Sequence, residues 1–167
     1  MGAKRLYRDL TLNGLARSSL LPRALRFRLL RALGMDIPGW TAIMPGCWFG
    51  GTDVHIGDGT TVNYGVFFDT AAPITIGERC DIGMEAMLCT STHEKGGPDR
   101  RAGKAGGAPI VIEDGVWIGT RALIMPGVRV GSGCIIAAGA VVTSDCEPHR
   151  VYAGVPATAK SSLPEAG

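Results

Sequence analysis

Residues 112–145 read IEDGVWIGTRALIMPGVRVGSGCIIAAGAVVTSD, and an aliphatic side chain returns at every sixth position: Ile112, Ile118, Ile124, Val130, Ile136 and Val142. The same step runs backwards through Leu88, Ile82 and Ile76, and in an earlier register through Phe68, Val62 and Ile56. Four positions after each of these twelve stands a small or β-branched residue: Thr60, Val66, Ala72, Cys80, Ala86, Thr92, Val116, Ala122, Val128, Cys134, Ala140 and Cys146. A helix would scatter a six-residue repeat around its surface, and a lone strand calls for alternation. A coil that turns a corner every six residues explains both columns. The aliphatic side chain points inward from each face, and the small one points inward near the corner. Three such hexads make one triangular coil, and the coils stack at the ~4.8 Å strand spacing. The expected fold is therefore an all-β hexapeptide β-helix. A β-sandwich with short glycine-rich turns would not fix the period.

Two places break the count. Two extra residues, with Pro73 among them, separate Phe68 from Ile76. The polar stretch EKGGPDRRAGKAGGA, residues 94–108, has no inward column and is expected to leave the prism as a loop over residues 94–109. Long excursions from compact folds are commonly either functional or disordered.

The 167 residues suggest one main domain, and the net charge of +2 hides an asymmetry. Residues 1–40 carry eight Lys/Arg and two Asp/Glu, net +6, whereas 41–167 carry nine and thirteen, net −4. The chain divides into an N-terminal basic helical cap (1–40), the β-helix (41–158) and a flexible tail (159–167). In the cap, SLLPRALRFRLLRALG reads as a helix starting near Pro22 and stopping at Gly34, with Leu25, Leu29 and Leu33 as its apolar stripe. Arg23, Arg26, Arg28 and Arg31 are spread around it. A cap over the first coil is the preferred reading, because a solenoid end must be covered; contact with an anionic membrane is the other. No apolar run reaches the ~18 residues of a membrane span, and Arg8 and Asp9 interrupt any signal-peptide core. A reducing, cytoplasmic location is expected, and no nucleic-acid partner. The five cysteines form no C-x-x-C pair. Cys80, Cys134 and Cys146 fall in the small inward column, as does Cys47 if Ile43 begins a hexad; Cys89 is given no chemistry.

Four elements in order, VNYGVFFD, TSTHE, the excursion ending in APIVIEDGVWIG, and AAGAVVTSD followed by VYAGVPA, resemble the hexapeptide-repeat O-acetyltransferases over about residues 43–158. The resemblance implies a left-handed parallel β-helix and a homotrimer whose sites are completed by the adjacent subunit. It also implies acetyl-CoA as acyl donor and a hydroxyl-bearing small molecule or sugar as acceptor, with no metal. Residue by residue, His93 matches the family's catalytic base and Asn63 its acceptor pocket. Asp69, in the same stretch as Asn63, either binds acceptor hydroxyls or orients a partner. Trp117, in an outward position just before Ile118, matches a coenzyme contact, as do Thr120, Ala138 and Thr143. Lys160 or the excursion's Arg100, Arg101 and Lys104 are assigned to the coenzyme's phosphates. The sequence departs from the pattern in lacking a Pro after His93 and in carrying Thr158 where a basic residue is common. Two rival functions are a γ-carbonic-anhydrase-like metalloenzyme, which needs three histidines converging on one metal whereas His55 and His149 stand far along the chain from His93, and a non-catalytic β-helix scaffold, which favours flat Thr faces.

Overall fold

Corner after corner, the computed structural model, which describes residues 2–164, follows the six-residue step. The chain enters through α1 (Ala3–Leu10), a π-helical turn (Thr11–Leu15) and α2 (Arg23–Ala32). The first coil is β1 (Ala42–Ile43), β2 (Trp48–Phe49) and β3 (Val54–Ile56); the second is β4 (Thr61–Val62), β5 (Phe67–Asp69) and β6 (Ile74–Ile76). The third, β7 (Asp81–Ile82) and β8 (Met87–Cys89), is interrupted by the hairpin β9 (Ser91–Lys95) and β10 (Ala102–Gly107) before β11 (Ile110–Ile112) closes it. Then come β12 (Trp117–Ile118), β13 (Leu123–Ile124) and β14 (Arg129–Val130), β15 (Ile135–Ile136) and β16 (Val141–Val142), and last β17 (Arg150–Gly154) and β18 (Ala157–Ser162).

Three parallel sheets result, one per face. The first stacks β1, β4, β7, β12, β15 and β17, the second β2, β5, β8, β13 and β16, and the third β3, β6, β11 and β14. Register is strict: Ile118 pairs with Ile82 and Ile136, and Leu88 with Phe68 and Ile124. All twelve column positions are buried and stack coil on coil, and the third face adds a second inward column, Val54, Ile74 and Ile110. In the small column ten of the twelve are buried, and the two exceptions, Ala72 and Thr92, stand where the chain leaves the count. The inward assignment of Thr92 is corrected: Thr90 takes the interior place, fully buried, and Thr92 lies exposed on the hairpin. Cys47, Cys80, Cys134 and Cys146 are buried free thiols, and burial pushes Cys47 up to about 11 and Cys146 up to about 12. They are packing residues, held far from the thiolate form.

The N-terminal segment covers the first coil, and Leu29 and Leu33 of the expected stripe are partly buried against the core, but the most deeply buried face is a neighbouring one. Leu25 is half exposed, whereas Arg26, Phe27 and Leu30 turn inward. Arg26 is 2% exposed and donates to four carbonyls: Nε to Ala16 at 2.8 Å, Nη1 to Ile43 at 2.9 Å, and Nη2 to Ser18 and Leu21 at 2.8 and 2.7 Å. A buried guanidinium survives only when its donors are satisfied in this way. Arg31 likewise donates to the Ile37 carbonyl through Nε at 2.7 Å. Two of the four helix arginines therefore fasten the cap, Arg26 from the interior and Arg31 from an exposed position. The helix stops at Gly34, whose φ of 103° only glycine adopts freely; Met35 N–H reaches Leu30 O at 3.1 Å and Gly34 N–H reaches Arg31 O at 3.0 Å. At the other end, the tail expected to be flexible from residue 159 is strand as far as Ser162. β18 pairs antiparallel with β17 from Gly154↔Ala157 to Arg150↔Ser162, which covers the open edge of the first face. Residues 165–167 of that expected tail lie outside the described residues.

Candidate functional site

The excursion is a hairpin, longer than a loop over 94–109 because pairing already starts at Ser91. It leaves at the corner between the second and third faces, and its root is held by polar bonds. Asp69 Oδ2 accepts from the Ser91 N–H at 2.7 Å. The buried Thr90 hydroxyl donates to the Asp69 carbonyl and accepts from Ala72 N–H at 3.1 Å, while Ala108 N–H donates to Thr90 O at 2.9 Å. Asp69 thus bonds the root of the strand that carries His93.

His93 sits on β9, exposed, paired with Ala105 across the hairpin. The register slips between Ala102 and Ala105, and in that bulge Gly103 brings its carbonyl to 3.0 Å from His93 Nδ1. A carbonyl only accepts, so Nδ1 must hold a proton, and in the neutral imidazole Nε2 is then the nitrogen with the free lone pair. Bulges of this kind re-aim side chains beside active sites. The position tolerates no side chain, since a Cβ on Gly103 would meet Glu94 O at 2.9 Å.

The other candidates divide by corner. Asp69, the hairpin root and Thr143 share the corner between the second and third faces. Asn63, Thr120 and Ala138 share the corner between the first and second, where Gly139 N–H donates to Thr120 O at 2.9 Å. Asn63 is half-buried, its Oδ1 accepting from Tyr64 N–H at 2.9 Å. Trp117 stands on the first face, 54% exposed, beside a groove of about 620 Å³ lined also by Arg79, Asp114, Ile135, His149 and Leu163. Lys160, on β18, places Nζ 2.9 Å from Thr158 Oγ1. Arg100, Arg101 and Lys104 are exposed on the hairpin. One whole face therefore separates His93 from Asn63 within a chain.

The remaining histidines are elsewhere. His55 Nδ1 pairs with Asp36 Oδ2 at 2.7 Å on the third face, and His149 lies over Gly133, where a Cβ would meet its Nδ1 at 2.6 Å. Three imidazoles in three places do not converge within one chain, as a three-histidine metal centre requires.

Sequence reasoning passed over two features. Thr90 was legible as the next inward position after Leu88 in a strand that alternates. The second was the outward position before each aliphatic residue of the second face: Trp48, Phe67, Met87, Leu123 and Val141. These five are paired in register from coil to coil, with Trp48 and Phe67 stacked at 4.4 Å, and all are apolar and at least partly exposed. The corresponding row on the third face is His55, Thr75, Val111 and Arg129.

Comparison with known proteins places this geometry. The family model described as bacterial transferase hexapeptide (six repeats) matches residues 109–144. A hexapeptide-repeat containing acetyltransferase from Vibrio cholerae, solved with acetyl coenzyme A, is 35% identical with a TM-score of 0.80 over 98% of this chain and 86% of that one. A galactoside acetyltransferase solved with coenzyme A is 27% identical with a TM-score of 0.86, over 96% of this chain and 81% of that one. Galactoside O-acetyltransferase of Escherichia coli (strain K12) is 34% identical over 106 residues, 64% of this chain and 52% of that protein. The chain spans 52% to 60% of the length of four of the curated relatives it matches, Galactoside O-acetyltransferase of Escherichia coli among them. The β-helix is left-handed, in common with these acetyltransferases.

Proposed function

Since the chain belongs to the hexapeptide-repeat acetyltransferases, we propose that it transfers acetyl from acetyl-CoA to a hydroxyl of a small molecule or sugar, with His93 as general base. The observation that carries this is the Nδ1–Gly103 contact, which leaves Nε2 as a fixed, exposed proton acceptor. Nε2 takes the acceptor's hydroxyl proton as its oxygen attacks the thioester carbonyl. The new C–O bond forms, the C–S bond breaks, and the leaving sulfur recovers the proton from the imidazolium. Both substrates are bound together, so no covalent enzyme intermediate is required. Trp117, Thr120, Ala138 and Thr143 hold the coenzyme's arm, Lys160 or the hairpin's basic residues its phosphates, and Asn63 the acceptor. A cytoplasmic setting, where acyl-CoA is available, belongs to the same reading.

The site is assembled between copies in a homotrimer. Five outward apolar residues on the second face form a continuous strip of the kind that marks an interface. Three prisms that turn this face to a common axis bring one edge of the face against the opposite edge in the neighbour. His93 lies at one edge and Asn63, Thr120 and Ala138 at the other, so the groups that one chain keeps a face apart meet between two chains. Mixed refolding tests this. Inactive His93→Ala and Asn63→Ala chains, combined, should recover part of the wild-type turnover, because some interfaces join the intact His93 of one chain to the intact Asn63 of another. No recovery above either parent would put the whole site within one chain.

A further inference from the structure

At the N-terminal end of the corner between the first and second faces lies a hollow that the mechanism above does not use. Its wall is three stacked corners, Pro45–Gly46, Tyr64–Gly65 and Met84–Glu85, and the segment bearing Arg17 and Ser19 closes one side, giving about 460 Å³. The segment is anchored by its backbone: Gly46 N–H donates to Arg17 O at 3.0 Å. The exposed Arg17 guanidinium makes no hydrogen bond or ion pair among the described residues. Glu85, the one acid lining the hollow, is taken by Arg121 Nε at 2.5 Å. The charges facing the space are therefore an available cation and a neutralised pair. Its walls are the exposed rings and chains of Tyr64 and Met84, and Tyr64 N–H holds the Asn63 amide oxygen at 2.9 Å. Hollow and acceptor residue are thus joined through one dipeptide. The coenzyme residues Thr120 and Ala138 lie on the fourth and fifth coils of the same corner, past the Met84–Glu85 wall that ends the hollow.

We propose that this hollow receives an anionic group of the acceptor, so that the substrate class is a hydroxylated, sugar-like compound carrying a carboxylate or phosphate, with Arg17 as the specificity-determining residue. The inference rests on the acetyltransferase reading. A guanidinium matches either anion with two parallel N–H donors, and the Tyr64 and Met84 surfaces suit the apolar side of a sugar ring. Neutral sugars would leave Arg17 without a partner.

Free-thiol release from acetyl-CoA is measured with methyl β-glucuronide, glucose 1-phosphate and methyl β-glucoside as acceptors. At least one anionic acceptor should show a KM roughly fivefold or more below the glucoside's at low salt. Which of the two does so separates carboxylate from phosphate recognition. Arg17→Gln should close that gap and Arg17→Glu invert it, with melting temperatures kept because the anchoring bond is backbone. Raising salt should lift the KM of the preferred anion and not that of the glucoside. Equal KM values, a preference that survives Arg17→Gln, or no turnover of either anion overturns the proposal. So does weaker calorimetric binding of coenzyme A by Arg17→Gln, which would give Arg17 to the donor. Coenzyme A binding and glucoside turnover without an anion preference overturns this inference alone. Failure of the wild-type protein to bind coenzyme A overturns the acetyltransferase reading and this inference with it.

Discussion

The prism and its hairpin obey different physics. In the prism every aliphatic column residue is buried, and each coil is held by the one above and the one below. In the hairpin all of β9 is exposed, and its orientation depends on a few polar bonds at the root, from Asp69, Thr90 and Ala108. Burial makes the prism stable and insensitive to any one polar group. Exposure makes the hairpin available to substrate and dependent on its root. If that division is right, stability and turnover should be separable by mutation.

The largest effect on turnover should come from His93→Ala. Removing a general base costs roughly 10²–10⁴-fold in kcat, and loss of an exposed side chain should leave the melting temperature where it was. A variant that turns over normally removes His93 from the chemistry; one that melts early breaks the separation. The converse is Phe68→Ala. Phe68 is fully buried and stacks on Phe49 at 4.7 Å, so about 3–5 kcal/mol of stability should be lost in denaturant titration. A loss near 1 kcal/mol would mean that the column collapses around a cavity and the prism is softer than its register suggests.

What the sequence disclosed follows the same line. A six-residue period is a statement about burial, so all twelve positions it names are buried, but it passes over Val54, Ile74 and Ile110, buried two residues before a column position on the third face; the Gly34 stop is equally local. It misplaces Thr92 because a fixed count cannot know that the chain departs two residues earlier, at Thr90. It places Leu29 and Leu33 of the α2 stripe against the core but misses Arg26, because a buried arginine serving four carbonyls looks, in sequence, like one more surface charge. His93 was legible only through its motif; the Gly103 carbonyl that sets its tautomer has no sequence signature, since any residue has a carbonyl.

Asp69→Ala sharpens the boundary between the two regions. If Asp69 positions the hairpin, kcat should fall about tenfold while the acceptor KM and the melting temperature change little, because one hydrogen bond to a charged group is lost at a half-exposed site. A rise in acceptor KM at constant kcat would give Asp69 to the acceptor instead. Trp117→Ala should weaken coenzyme A binding by an aromatic contact of ~1 kcal/mol, or roughly fivefold in calorimetric Kd. Unchanged affinity would leave the exposed indole without a role in the donor site.

The smallest effect expected is a polar one inside the prism, at Glu113. Its carboxylate accepts from the Ser132 hydroxyl and N–H, both at 2.8 Å, and pairs with Arg129, so it clips two successive coils together on the third face. The Ser132 hydroxyl, then its N–H and Arg129, hold the carboxyl below the usual glutamate value against the opposing effect of desolvation. A carboxyl depressed in the folded state stabilises above its unfolded pKa of ~4.3, and that contribution disappears as pH falls through the lower folded value. Glu113→Gln should therefore cost on the order of 1 kcal/mol at pH 7, and the difference from wild type should stay level down to about pH 5 and shrink below about pH 4. Urea midpoints at pH 7 and pH 3 measure it. A difference of the same size at both would mean that Glu113 acts by shape and neutral hydrogen bonding alone, and that the coils of the prism need no charge to hold their register.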